Sequence, residues 1–297
     1  MLDILATDMT AAADQGRICA LAARGQRELT AYAHRHPRLF PAEPFDATLF
    51  GAISSAMAFG APDRSPAELG FANRCVLWGF AVDWLIDSVA TSRTEIEALA
   101  ARCLAVADGA QPEPGDDLGR LLADQRDELA DRPGFARARL CWRTELDNVL
   151  TAMAREWSWR ERSAAGALPT LDEYLDNADN LGCTVVNVAY WIRIGDADVA
   201  DRLPALVAAS GAVQRALRLV NDLGTYERDL RWGDLNSIMV AGDRSAVERR
   251  LDELVGECHE RLGALRTHRP AEAAYLSRQL GFSTGFYQLG DFWVADR

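Results

Sequence analysis

Apolar residues recur along the chain at steps of three and four, in runs separated by short Pro- and Gly-bearing stretches: "HPRLFPAEPF", "GAPDRSP", "GAQPEPGDD", "GALPT" and "RWGDLN". No segment alternates apolar and polar residues as a half-buried strand does, and no internal repeat is present. The pattern predicts an all-α protein of roughly ten helices joined by connections of a few residues. It reads as a single domain over residues 1–297. Two helix starts are explicit. "SPAE" offers Ser65 as N-cap, Pro66 at the first helical position and Glu68 reaching back, opening a helix that runs to about Ala90; "SRTE" repeats the capping box at Ser92 and Glu95.

Inside the first of these helices, Leu69, Ala72, Val76 and Phe80 form an apolar stripe that continues into Asp83 and Asp87 of "VDWLID". An unpaired carboxylate on an inward face is costly, so two of them need a cation, a basic partner or a water-filled cavity. A second polar face follows. Leu206, Val213 and Leu217 lead onto Asn221, Thr225 and Asp229, an amide, a hydroxyl and a carboxylate at steps of four.

Taken alone, the two acids read either as helix-end carboxylates bridged to arginine or as a divalent-metal site. The trio alone reads either as a polar helix face or as three oxygen ligands. Two inward oxygen clusters in one helical chain favour the metal reading, and Mg2+ is the hard cation that takes such ligands together with substrate phosphates. Arg218 and Arg228 flank the trio as candidate diphosphate contacts, because a guanidinium donates paired hydrogen bonds to phosphate oxygens.

Composition changes the picture in three places. The net charge of -12 argues against nucleic acid and anionic membranes as partners. The chain has no lysine, which removes Schiff-base lysine chemistry and the P-loop lysine and leaves arginine as the strong cation. Six cysteines without a CxxC pair, acids where a signal peptide needs positive charge, and no run of eighteen apolar residues predict a cytoplasmic protein with reduced thiols and no membrane span. The cysteines read as small core residues, and His34 and His36 as surface residues at a helix end. Oligomeric state is not legible here, and a homodimer stays open.

"NDLGTYERD" resembles the metal-binding motif of class I terpene synthases, (N/D)Dxx(S/T)xxxE, and "GDLNS" looks like the segment that trails it in microbial members. "DWLID", roughly 140 residues upstream, resembles their aspartate-rich motif, DDxxD and its variants. The resemblance covers most of the chain, including "PTLDEYLDNADNLG", and identifies it as similar to bacterial members of the family.

It implies the class I terpenoid synthase α-helical bundle surrounding an apolar active-site cavity. Asp83, Asp87, Asn221, Thr225 and Asp229 would hold three Mg2+ ions, with Mn2+ as the alternative metal. Arg218 or Arg228 would contact the isoprenoid diphosphate, and Phe80, Trp84, Trp191, Phe286 and Trp293 would line the cavity. Gly182 would sit at a kink that exposes a backbone carbonyl, or serve as a packing glycine.

Four departures from the family pattern stand out. Trp84 occupies the place of the second aspartate, Asp229 that of the glutamate, and Ala178 that of a diphosphate-sensing arginine; no Arg-Tyr dipeptide occurs. The missing arginine resembles the diterpene branch, kaurene-synthase-like enzymes among them. That implies geranylgeranyl diphosphate as substrate, a copalyl-type diphosphate second, and farnesyl diphosphate as the sesquiterpene alternative. A squalene-type synthase would need a second DxxxD, but Tyr226 lies four residues after Asp222. From another class, a helical bundle that binds an isoprenoid diphosphate without ionising it remains the alternative.

Overall fold

The computed structural model describes residues 2–163 and 166–293, and no strand occurs among them. Twelve α-helices follow one another: α1 (Leu2–Ala33), α2 (Ala47–Gly60), α3 (Pro66–Trp84), α4 (Arg93–Ala107), α5 (Asp117–Ala130) and α6 (Phe135–Ser163), then α7 (Leu171–Leu175), α8 (Cys183–Ile194), α9 (Val199–Trp232), α10 (Ser237–Ala241), α11 (Arg244–Arg266) and α12 (Pro270–Phe286). A π-helical turn, Leu85–Val89, prolongs α3, and a 3-10 turn, Ala178–Leu181, precedes α8. The count exceeds the ten expected because α7 and α10 are single turns at the edges of the predicted breaks.

Local chemistry explains the starts. Ser65 accepts from the Glu68 amide while the Glu68 carboxylate returns to the Ser65 amide, a complete capping box with Pro66 at the first position. At α4 the box is displaced: Ser92 accepts from the Glu95 amide at 3.4 Å, but the Glu95 carboxylate reaches back to the Thr91 amide instead. Thr170 and Glu173 cap α7 in the same reciprocal way.

One apolar core runs from α1 to α12. Within it α9 packs against α6, α8, α11 and α12, while α3 packs against α1, α2, α5 and α8. Among the described residues, Pro66–Val89 is the one stretch long and apolar enough to cross a membrane by composition, and 61% of that window is buried by the rest of the chain. Its apolarity is that of an interior helix. Two minor expectations are corrected. His36 is half-buried, 3.6 Å from Asp117, and Cys19 is exposed while Cys75, Cys103 and Cys258 lie in the core.

The break before α8 is built around Gly182, whose φ of 65° is a left-handed conformation that a side chain disfavours. No side chain at Gly182 caps α8; the Thr184 amide is met by Gln214 of α9 across the interface, and Gln214 in turn donates to Asp179 in the 3-10 turn. Gly182→Ala is therefore expected to lower unfolding stability by about 1–2 kcal/mol in urea denaturation. An unchanged midpoint would show that the turn relaxes without strain.

Candidate active site

Asp83 and Asp87 lie at the C-terminal end of α3 and in the π turn that follows. The turn arises where the Ala90 amide bonds the Leu85 carbonyl, five residues back, at 2.8 Å. Both acids are half-buried and line one internal cavity together with Val76 and Phe80 of the same stripe. Arg160 of α6 holds Asp87 at 2.7 Å and reaches Asp234, beyond α9, at 3.4 Å. It thereby ties the two halves of the site together.

The second half is the C-terminal part of α9. Asn221 and Asp229 line the same cavity, with Thr225 between them. The Asn221 amide nitrogen donates to the Tyr287 hydroxyl at 2.8 Å, which turns its carbonyl oxygen away as the atom left for a ligand. Thr225 Oγ1 sits 2.8 Å from Asp229 Oδ2 and 2.9 Å from the Asn221 carbonyl, so its one proton serves either in turn. Asp229 is held on both oxygens. Arg228 donates to Oδ1, and Asn236 of the "GDLNS" segment donates to Oδ2 at 2.8 Å. That segment folds back because Asn236 also caps α10, and Asp222 accepts the Ser237 amide at its start.

Three arginines each bridge two carboxylates at this end of the cavity. Arg160 serves Asp87 and Asp234, Arg218 serves Glu156 and Asp222, and Arg228 serves Asp229 and Asp291. Carboxylates outnumber guanidiniums, and Asp83 adds another. Burial pushes Asp222 and Asp291 above the ordinary carboxylate range, and it pushes Glu156 up to about 7 even with Arg218 beside it. An excess of hard oxygen donors and negative charge fits a divalent cation of the Mg2+ type. Among the described residues no three His, Cys, Asp or Glu side chains converge into a cage. A cation here would therefore complete its shell with water or with phosphate oxygens, as Mg2+ does.

Behind the oxygen-rich end, the cavity of about 280 Å³ is walled by Met57, Val149, Met153, Val185 and Val186. Residues 74–245, which include both polar faces, match the family model described as terpene synthase family 2, C-terminal metal binding. The chain belongs to this family of terpene synthases. Over 277 residues it is 28% identical to ent-pimara-9(11),15-diene synthase from Streptomyces sp. (strain KO-3988), covering 91% of this chain and 92% of that one. The fold is shared with 2-methylisoborneol synthase from Streptomyces coelicolor A3(2) in complex with Mg2+ and 2-fluoroneryl diphosphate (TM-score 0.68, 17% identity, 91% of this chain and 90% of that one). It is shared equally with linalool/nerolidol synthase from Streptomyces clavuligerus (TM-score 0.68, 18% identity, 91% and 98%). The architecture is the class I terpene synthase bundle.

The aromatic lining of this terpene synthase differs from expectation. Phe80, Trp293 and Gly182 line the cavity, but Trp84, Trp191 and Phe286 do not. Trp84 packs between Phe45 and Trp293, and Phe286 stacks behind Phe282 and Phe292. Trp191 faces a separate depression of about 530 Å³ beside Arg132 and Arg202. A shift of one residue turns a helical side chain by about 100°, so an aromatic close to a cavity in sequence easily ends up behind its wall.

Arg218 is also differently employed than its place beside the trio suggested. It is 5% exposed, donating through Nη2 to Glu156 at 2.7 Å and through Nε to the Tyr174 hydroxyl at 2.7 Å, with the ring of Tyr174 beneath it. Arg218, Arg228 and the unpredicted Arg160 all line the cavity, and Arg228 likewise lies over a ring, that of Trp232. Glu156, Asp234 and Asn236 were likewise missed from the sequence. Only "GDLNS" carried a signal for the last two.

Two outcomes test this arrangement. Arg218→Ala leaves Glu156 and Asp222 buried without their cation and is expected to cost about 3–5 kcal/mol of unfolding free energy; a loss below about 1 kcal/mol would show the pairing to be idle. Glu156 favours the folded chain while protonated, so its contribution is present below its ordinary value of 4.5 and is lost as the pH rises to about 7. Stability of the wild type should fall across that window, and Glu156→Gln should flatten the slope in denaturation curves measured at each pH.

Proposed function

We propose that the protein is a Mg2+-dependent class I diterpene synthase that ionises geranylgeranyl diphosphate and cyclises the resulting allylic cation, with residues 1–297 acting as one catalytic domain. The observation that carries this reading is the meeting of two oxygen-rich helical faces, one on α3 and its π turn and one on α9, at one end of a single apolar cavity. The C20 preference is supported by the relationship to a diterpene synthase along 91% of the chain. A copalyl-type diphosphate is the second choice of substrate and farnesyl diphosphate the third.

Asp83 and Asp87 on one side, and Asn221, Thr225 and Asp229 on the other, would hold the Mg2+ ions. When bound, the ions supply the charge neutralisation that makes diphosphate a good leaving group. The carboxylate excess at the mouth explains why cations must precede or accompany the substrate, since a diphosphate alone would meet like charge. Arg228 and Arg160 are placed to exchange part of their carboxylate contacts for phosphate oxygens. Deeper in, the faces of Phe80, Phe282 and Trp293 offer the substrate cation about 0.5–2 kcal/mol each.

Purified protein incubated with C10, C15 and C20 diphosphates and Mg2+ is expected to give a terpene from the C20 substrate, read by mass spectrometry alongside diphosphate release. Absence of both from every substrate would overturn the assignment. Asn221→Ala is expected to lower kcat/KM by at least a hundredfold, about 2.7 kcal/mol of barrier. Asp83→Ala should be more damaging than Asp87→Ala, because Trp84 supplies no second carboxylate beside Asp83; equal losses would remove that ranking.

A further inference from the structure

The wall of the cavity formed by α12 is unlike the others. Tyr275, Gln279, Ser283 and Tyr287 follow one another at steps of four, and all four line the cavity. Residues so spaced share one face of a helix. A hydrogen-bonding stripe thus runs down an enclosure whose remaining depth is Met57, Val76, Val149, Met153 and Val186.

The two ends of the stripe are already committed. Tyr275 donates to Asn187 Oδ1 at 2.7 Å, and Tyr287 accepts from Asn221 at 2.8 Å. The middle is not. Gln279 is held through Oε1, which accepts from the fully buried Asn187 at 3.1 Å, so its Nε2 is the end of the amide left to donate. Among the described residues, neither Gln279 Nε2 nor Ser283 Oγ has a protein partner. Both residues are half-buried and line the enclosure, so water admitted to the cavity is the partner these groups meet. Side chains four apart on a helix stand about 5–6 Å from one another, a gap that a single water fills with a hydrogen bond to each.

We propose that Gln279 and Ser283 hold a water molecule inside the cavity that captures the cyclised cation, so that the product is a terpene alcohol. The inference rests on the terpene synthase function proposed above. A lone pair of the water oxygen forms the new C–O bond to the cationic carbon. The resulting oxonium gives up one proton, which passes to the diphosphate released on ionisation. Isoprenoid diphosphate and water become alcohol and protonated diphosphate, with no change of oxidation state. Gln279 and Ser283 act as positioning residues that select water capture over proton loss.

Turnover of the C20 diphosphate in H2(18)O decides the matter on the wild type. A terpene alcohol carrying one labelled oxygen is expected. Hydrocarbon alone, or alcohol without label, would overturn the inference while leaving the synthase function standing; no turnover of any diphosphate would remove both. Gln279→Leu and Ser283→Ala, checked for cooperative melting, are expected to shift the product at least fivefold toward hydrocarbon, and an unchanged ratio in both would overturn the assignment of these residues. Metal-free protein supplies a readout independent of turnover. Calorimetric titration should show a C20 terpene alcohol binding at least fivefold more tightly than the hydrocarbon of the same skeleton, with the difference lost in Gln279→Leu; equal affinities in the wild type would count against the stripe.

Discussion

Carboxylates crowded at the mouth of an apolar cavity repel one another, and in a chain without lysine only arginine is present to balance them. Each of three guanidiniums is stretched between two acids contributed by different parts of the fold. Arg160 joins α6 to the π turn and to the loop after α9, Arg218 joins α9 to α6, and Arg228 joins α9 to the segment beyond α12. The balance is deliberately incomplete in its charge, and the shortfall of positive charge is what gives the site an appetite for divalent cations. Buried ion pairs of this kind add little net stability, but removing one member is expensive because its partner stays behind.

The same constraint accounts for the segment that trails the second polar face. Asp222 and Asp229 point inward from a helix and are only 1% and 3% exposed. The chain turns back after Gly233 and brings the Asn236 side chain and the Ser237 amide onto them. Gly224 allows the far wall to close on this group, since a Cβ there would meet the Tyr287 backbone oxygen and Cβ at 2.8 Å. Tyr287 then orients Asn221. Close approach of two backbones thus ends as the aim of one amide.

Much of this was legible in the sequence, because the signals involved are local. A capping box at Ser65 and Glu68 depends on four residues, and the alignment of Asp83 with Phe80 depends only on helical period. The two faces, read together, pointed to a divalent-metal site, and the resemblance of "NDLGTYERD" and "DWLID" to class I terpene synthase motifs pointed to the family. What stayed hidden depends on contacts across the fold. Arg160 lies 73 positions from Asp87, and Glu156 lies 62 from Arg218, so nothing near either residue announces the pairing. Arg218 was read as a ligand for phosphate because it shares a helical face with Asn221 three residues on; its contacts with Tyr174 and Glu156 come from two other helices. Trp84, Trp191 and Phe286 show the same limit for aromatics, whose side of the wall is set by packing.

The π turn at Leu85–Val89 has an evolutionary face as well. A π turn holds one residue more than the α-turn it replaces, and its hydrogen bond spans five residues. Losing any one residue between Leu85 and Val89 would allow the segment to close as ordinary α-helix with its hydrogen bonding intact. Losing Leu85 or Ile86 would turn Asp87, the last residue of this helix to line the cavity, by about 100°. The extra residue in the turn therefore bears on the direction of one carboxylate more than on the closure of the helix.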